Sequence, residues 1–117
     1  MTKQEIINNK NWKGTASREI QMSYIPEYKI GDMVNPGTSW TDGGEFRVEA
    51  SNDYSIIFRI EENTEGHKVN YNNKKECEVL SCEDCSNEKE ILIDKAFKII
   101  DIDNYDEEMG FMTVYIK

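Results

Sequence analysis

The stretch Asn87-Glu88-Lys89-Glu90-Ile91-Leu92-Ile93 places two carboxylates one residue apart, directly before an apolar run. In a β-strand, alternate residues lie on the same face and each residue rises about 3.3 Å, so Glu88 and Glu90 are expected on one face, roughly 7 Å apart. Ile91 and Ile93 would then point to the opposite face, where a core would lie. Two acids at the start of a buried strand indicate either a reactive site or an ordinary charged edge.

Length and charge limit the kind of protein this is. The chain has 117 residues, with 14 basic and 23 acidic side chains and a formal net charge of -9. This length predicts a single domain over residues 1–117, with a core large enough to fold without disulfides. The acidic balance argues against direct binding of duplex nucleic acid or an anionic membrane, and suits a basic partner. No apolar run approaches the roughly 20 residues of a membrane helix.

The first residues of the chain and the number of cysteines indicate the cellular compartment. The segment Met1–Glu5 is polar and lacks the apolar stretch of a secretion signal. Three cysteines, Cys77, Cys82 and Cys85, make an odd number, which a reducing environment explains most simply. We therefore expect a cytoplasmic protein, or one delivered into or made within another cell. A zinc set of these cysteines with His67 is the alternative, but its spacing is unlike a zinc finger, so no metal site is predicted.

Local signals predict helices near the start of the chain and strands after it. Thr2 and Glu5 have the spacing of a capping box, which predicts a two-turn helix ending near Asn9. Ser17 in a cap position predicts a second helix, ended by Pro26. Residues 46–50 fit a helix or a strand equally well. Apolar and β-branched runs between turns predict strands at residues 11–15, 33–34, 38–41, 54–60, 67–71, 76–80, 91–93, 97–102 and 111–116. The pattern predicts an α+β fold.

Three short motifs, taken in order, resemble the mono-ADP-ribosyltransferase family, in its Arg / Ser-Thr-Ser / Glu-x-Glu branch. They are Trp12-Lys13-Gly14-Thr15, then Lys29–Val34 with Ser39-Trp40-Thr41, then Glu88-Lys89-Glu90. Each motif is only a few residues long, so their order and spacing together carry the resemblance, which covers residues 11–117. It implies split, mostly antiparallel β-sheets with a few short helices, and NAD as a substrate in the cleft between the sheets.

The resemblance also implies a reaction, the transfer of ADP-ribose from NAD to a protein acceptor. Cleavage of the nicotinamide–ribose bond builds positive charge on the ribose, which a fixed carboxylate stabilises more in the transition state than in the ground state. Glu90 matches the catalytic position. Glu88 matches the position that meets the acceptor, where a glutamate goes with arginine acceptors because a carboxylate orients a guanidinium. Ser39 and Thr41 would brace Glu90 and the cleft through hydroxyl hydrogen bonds.

The first motif departs from the family. Lys13, followed by Gly14, stands where the family has an arginine that contacts NAD, and a lysine supplies a point charge without the planar fork of a guanidinium. Arg18 is a second candidate for this phosphate contact, although it falls on the predicted second helix. In the middle motif, Trp40 takes the place of a small residue.

Two other functions fit the same residues. The chain could be a catalytically inactive domain that keeps this fold to bind a protein. It could also be an acidic inhibitor, a decoy that imitates nucleic acid toward a nucleic-acid enzyme through the acids between Asp101 and Glu108. Without the family resemblance, Glu88 and Glu90 are a solvated edge, and Ser39 and Thr41 are ordinary strand residues.

Overall fold

The computed structural model describes residues 2–43, 53–69, 72–80 and 90–117. Strands dominate this part of the chain, and the two helices in it are short, so the fold belongs to the α+β class that the sequence predicts. The elements are α1 (Lys3–Asn8), β1 (Trp12–Met22), β2 (Met33–Val34), β3 (Ser39–Asp42), β4 (Tyr54–Lys68), α2 (Lys74–Leu80), β5 (Glu90–Leu92), β6 (Phe97–Asp106) and β7 (Phe111–Ile116).

Thr2 caps the start of α1, as its spacing to Glu5 predicts. The Thr2 side chain accepts a hydrogen bond from the Glu5 backbone N–H at 3.2 Å, and its hydroxyl donates to Glu5 Oε1 at 3.2 Å. Ile6 and Ile7 are buried on the inner side of the helix. The first predicted helix is therefore confirmed, with its end at Asn8.

All seven strands join one sheet, in the order β1-β3-β5-β4-β7-β6-β2, and β1 also pairs with β4. The additional pairing closes β1, β3, β5 and β4 into a ring, from which β7, β6 and β2 extend as an open sheet. Both arrangements share β4 because it is long: residues 55–60 pair with β7, and residues 67–68 pair with β5. In the described residues the β4–β7 pairing is parallel and the other pairings are antiparallel.

One face of the sheet forms the main core. Directly paired residues project to the same face, and the chain places Ile20, Ile56 and Met112 in one such row across β1, β4 and β7. Trp40 from the ring packs edge-to-face on Phe97, with ring centroids 5.6 Å apart. A smaller cluster, which joins both helices to the ends of β4 and β5, contains Ile6, Ile7, Val69 and Leu92 with Val79 and Leu80 against it.

The helix predicted from Ser17 is wrong, because this segment belongs to β1. Its residues alternate with period two: Ala16, Ile20 and Met22 face the apolar core, with the buried Ser17 on the other face. Pairing with β4 over the length of β1 satisfies the backbone and outweighs the single cap signal.

The strand predicted at residues 76–80 is also wrong, because these residues lie in α2. The Asn73 side chain accepts a hydrogen bond from the Glu76 backbone N–H at 3.2 Å, as a helix cap does. Glu76, Val79 and Leu80 have the spacing of one helix face, which packs inward. The predicted strand at 67–71 corresponds to the end of β4 at Lys68, and the segment 46–50 lies outside the described residues.

Within the described residues, no helix combines the length and the apolar character needed to cross a membrane.

Candidate functional site

Ser39 and Glu90 meet where β3 and β5 pair. Ser39 lies opposite Leu92, and Thr41 lies opposite Glu90. The side chains of Ser39, Thr41 and Glu90 therefore share one face, while Trp40 between them is buried in the core. The Ser39 hydroxyl donates a hydrogen bond to Glu90 Oε2 at 2.5 Å. The serine of the second motif and the last carboxylate of the third are thus in direct contact.

Arg18 of β1 binds the backbone of the segment that leads into β3. Its Nε donates to the Pro36 carbonyl at 2.9 Å and its Nη1 donates to the Ser39 carbonyl at 2.6 Å. Burial lowers the pKa of the Arg18 guanidinium from its ordinary value, and the negative charge of Glu90 acts in the opposite direction. A partly desolvated cation therefore lies within electrostatic range of Glu90, without an ion pair between these two described side chains.

A glycine turn makes room for the guanidinium. Gly37 has φ +129°, and a Cβ added there would lie 2.8 Å from Arg18 Nη2. The turn is tied to the core because Trp40 Nε1 donates to the Gly37 carbonyl at 3.0 Å. Trp40, which replaces the small residue of the family motif, faces inward and supports the segment that Arg18 contacts. Only glycine fits both the backbone angle and the close packing at position 37.

The backbone of Glu90 is fixed as well as its side chain. The Val69 N–H, just beyond β4, donates to the Glu90 carbonyl at 3.2 Å. Pairing with Thr41 on the other side places Glu90 between two segments of the ring. Its side chain is only partly buried, so part of it stays accessible to solvent.

The structure does not bring Lys13 and Gly14 to this site. The exposed Lys13 pairs with Glu65 of β4. Ser17 is the residue of β1 that lies level with Thr41 and, beyond it, Glu90. Lys13 is four residues along the strand from Ser17, which corresponds to about 13 Å.

The other site residues predicted from sequence have different outcomes. Ser39, Thr41 and Glu90 lie together, with Thr41 exposed beside the pair. Glu88 lies outside the described residues. Arg18, which sequence reasoning placed on a helix and ranked below Lys13, is the cation that the fold brings to Glu90. The alternation of apolar and polar residues at positions 20–22 is the signal that could have predicted a strand there.

His67 has a structural role in the described part of the chain. Its Nδ1 donates to the Asn9 carbonyl at 2.8 Å and its Nε2 bonds the Glu76 carboxyl group, with both side chains buried. Cys77 lies on α2, whereas Cys82 and Cys85 fall outside the described residues. No group of three His, Cys, Asp or Glu side chains suited to a metal occurs in the described ranges.

Comparison with protein-family models, with curated proteins and with solved structures gives no match to this chain. The function must therefore be inferred from the chemistry of the site itself. That chemistry combines a carboxylate oriented by a serine hydroxyl with a guanidinium that retains unused N–H donors. Such a pair can stabilise a developing positive charge at the carboxylate and bind a phosphate at the guanidinium.

Proposed function

We propose that this protein is an NAD-dependent mono-ADP-ribosyltransferase, and that it modifies an arginine of a protein acceptor. The observation that carries the proposal is the hydrogen bond from Ser39 to Glu90, with the guanidinium of Arg18 bonded to the Ser39 carbonyl and within electrostatic range of the carboxylate. Glu90 and Ser39 supply the carboxylate and the brace of the motifs that the sequence resembles, and Arg18 supplies a cation in place of Lys13 of the first motif. In the reaction, the bond between ribose C1 and the nicotinamide nitrogen breaks, and its electron pair leaves with nicotinamide. An acceptor guanidino nitrogen then bonds to C1 and loses a proton.

Glu90 is the proposed catalytic residue. One of its oxygens is held by Ser39, which leaves Oε1 to accept a hydrogen bond from a ribose hydroxyl. In that position the carboxylate stabilises the positive charge that appears on the ribose as nicotinamide leaves. Because Ser39 fixes the side chain in advance, little reorganisation is needed during the reaction. Thr41, opposite Glu90 in the sheet, would border the same cleft.

Arg18 takes the role of phosphate contact in this proposal, in place of Lys13. Two of its N–H groups are used by the Pro36 and Ser39 carbonyls, and the Nη2 group remains for a diphosphate oxygen. A planar guanidinium fixed by two carbonyls is better oriented than a lysine on an exposed strand end. Glu88 remains the proposed acceptor-side acid, on the basis of its position two residues before Glu90.

Calorimetric titration with NAD tests the proposal, with Glu90→Gln and Glu65→Gln as matched variants. Each removes one negative charge, and Glu65 is exposed on β4. We expect the wild type and the Glu65→Gln variant to bind NAD and release nicotinamide. Glu90→Gln should release it about 100-fold to 1000-fold more slowly, the loss typical of removing one transition-state contact. Two results would contradict the proposal. One is absence of NAD binding by the wild type, which a catalytically inactive domain or an acidic inhibitor would show. The other is an equal rate of nicotinamide release by the two variants.

A further inference from the structure

An open pocket lies between the segment that follows β1 and the strands β6 and β7. Its volume is about 540 Å³, within the range of roughly 300–1,000 Å³ that is typical of binding sites. Ile25 on its wall is 44% exposed, whereas Met112 belongs to the buried core, so the pocket opens to solvent and reaches the core. Two buried residues, Phe58 and Val114, lie between it and Arg18 in the sheet. The pocket is therefore separate from the site proposed above.

Aromatic side chains line this pocket and stay exposed around it. Tyr28 and Tyr105 form part of its wall. Tyr54 packs edge-to-face on Tyr105, with ring centroids 5.3 Å apart, and Tyr24, next to Ile25, is 59% exposed. Exposed rings beside an apolar pocket are typical of protein-binding surfaces, since a ring supplies a large contact area at little cost in conformational entropy. The surface therefore suits a partner that inserts an apolar side chain.

The hairpin of β6 and β7 carries negative charge near the pocket. Its residues 99–116 contain no lysine or arginine and five acidic side chains, which are Asp101, Asp103, Asp106, Glu107 and Glu108. Lys98 and Lys117 lie at the end of the hairpin opposite its turn, where their backbones exchange two hydrogen bonds of 3.0 Å. The part of the hairpin that lines the pocket, from Ile102 to Met112, lies toward the turn. The charge of the hairpin is thus concentrated where the pocket opens.

Other segments around the pocket add to this charge. Glu27 lies in the lining, and Asp53 directly precedes Tyr54. Lys29 is the one basic residue within two positions of a lining residue along the chain. These two acids and the five of the hairpin, set against one lysine, leave an excess of six negative charges. Such an excess attracts basic groups and disfavours nucleic acids and anionic membranes.

We infer that this docking surface, formed by the pocket, its exposed tyrosines and the acids around it, binds a basic segment of another protein. The segment would place an aromatic side chain in the pocket against Met112, and arginine or lysine side chains over the acidic rim. The faces of the tyrosine rings attract these cations in addition to the carboxylates. The inference goes beyond the proposed reaction and does not depend on it.

The apolar anchor and the charges have different roles in this interaction. Exposed ion pairs contribute little affinity on their own, and salt screens them. Burial of the anchor therefore provides most of the binding free energy, whereas the charges speed association and select basic partners. A surface that acts through charge alone, as a nucleic-acid decoy does, needs no anchor. The two contributions can be measured separately.

Calorimetric titration with synthetic peptides measures both contributions. The probe peptide has a central phenylalanine between arginines; one companion has serine in place of the phenylalanine, and the other has glutamates in place of the arginines. We expect the probe to bind, each companion to bind at least about tenfold more weakly, and the affinity of the probe to fall as salt is raised. Bound probe should shift the NMR signals of the Ile102 and Met112 methyl groups, which line the pocket. The signals of Ile6 and Ile7 in the smaller cluster should stay unchanged.

Ile25→Ser and Ile30→Ser are matched variants for the anchor. Both isoleucines are exposed in the connection between β1 and β2, so neither substitution should disturb folding, and of the two Ile25 lines the pocket. Loss of its apolar surface should weaken probe binding about fivefold, whereas Ile30→Ser should stay within about twofold of the wild type.

Glu27→Lys and Glu65→Lys are matched variants for the charge. Both glutamates are exposed and both substitutions change the net charge by the same amount, but Glu65 lies near the other end of β4, opposite Lys13. Glu27→Lys should weaken probe binding about fivefold at low salt, and Glu65→Lys should stay within about twofold of the wild type, because electrostatic interaction falls with distance.

The outcomes separate this inference from the proposed function. The docking surface is overturned if the probe does not bind, if the Ile102 and Met112 signals stay unchanged, if the serine companion binds as tightly as the probe, or if either matched pair binds it equally. Glu90→Gln should bind the probe as the wild type does. Loss of binding in Glu90→Gln would place the peptide at the proposed active site and would also overturn the inference. Absence of NAD cleavage, by contrast, would count against the transferase proposal alone.

Discussion

Arg18 is the residue for which the difference between the predicted and the observed position matters most for the proposed function. The sequence predicts Arg18 only as a cation on a helix. Its partners could not be predicted, because the carbonyls that it binds lie 18 and 21 residues away along the chain. Its position depends on the pairing of β1 with β3, which no local pattern encodes. Ser39 and Glu90, by contrast, belong to short motifs that could be recognised without the fold.

Arg18→Lys tests the role of the guanidinium. The variant keeps the charge but loses the planar donors that bind Pro36 and Ser39, so we expect the free energy of unfolding to fall by about 1–3 kcal/mol. NAD affinity should fall at the same time, since the phosphate contact loses its orientation. Lys13→Ala is the comparison, and should leave NAD affinity unchanged. Urea denaturation and calorimetric titration measure the two effects, and a larger loss of NAD affinity in Lys13→Ala would return the phosphate contact to Lys13.

Gly37→Ala measures how closely the turn packs on Arg18. The substitution forces an L residue to φ +129° and places its Cβ against the guanidinium. Gly31→Ala is the control, since Gly31 has φ +99° with nothing within 4 Å of an added Cβ. Both should lose stability through backbone strain of about 1–3 kcal/mol, and Gly37→Ala should lose about 1 kcal/mol more because a bond of Arg18 is displaced. Combining Gly37→Ala with Arg18→Ala should remove that extra loss, and equal losses in the two single variants would argue against the packing.

Among the elements, strands were easier to predict than the short helix α2. The run Tyr54–Ile60 is rich in β-branched and aromatic residues, and its strand identity follows from composition alone. Residues 76–80 have too few apolar positions to distinguish a strand from one helical face. Their helical state is instead selected by packing, because Glu76 meets His67 of β4 and Leu80 meets the small cluster near α1.

Glu76→Ala tests whether this contact holds α2 in place. The variant leaves the buried His67 ring without its partner on the helix, and removing one side of a buried pair costs about 3 kcal/mol. Glu78→Ala lies two residues along the same helix, is exposed, and should change stability by less than about 0.5 kcal/mol. Chemical denaturation of both variants measures the difference. Similar stability losses in the two would show that His67 does not depend on Glu76.

At the scale of the whole molecule, the site lies on the side of the ring that β3 and β5 form. Thr41 of β3 pairs with Ser17 of β1 on one side and with Glu90 of β5 on the other, and β3 and β5 are both short. Short strands open by local unfolding more readily than the long β1–β4 pair. A ligand bound to the closed form stabilises it by mass action. We therefore expect saturating NAD to slow hydrogen exchange of the backbone amides at residues 39–42 and 90–92, and unchanged exchange there would place NAD elsewhere.

The class of fold could be predicted from the sequence, but the closure of the ring could not. Alternating and β-branched runs indicate which segments are strands, yet they carry little information about which strands pair across long distances. The pairing of β3 with both β1 and β5 is what brings Ser39, Glu90 and Arg18 together. The candidate site therefore depends on the strand topology, because the local sequence around each of its residues indicates a role only weakly.

The most direct test of the central claim is transfer of ADP-ribose to a guanidino compound by the purified protein, followed by mass spectrometry. We expect the wild type and Glu65→Gln to form the adduct and release one nicotinamide for each transfer or hydrolysis event. Glu90→Gln should form it at least about 100-fold more slowly. Adduct formation at the same rate by Glu90→Gln and Glu65→Gln, or no adduct and no nicotinamide from the wild type, would contradict the account.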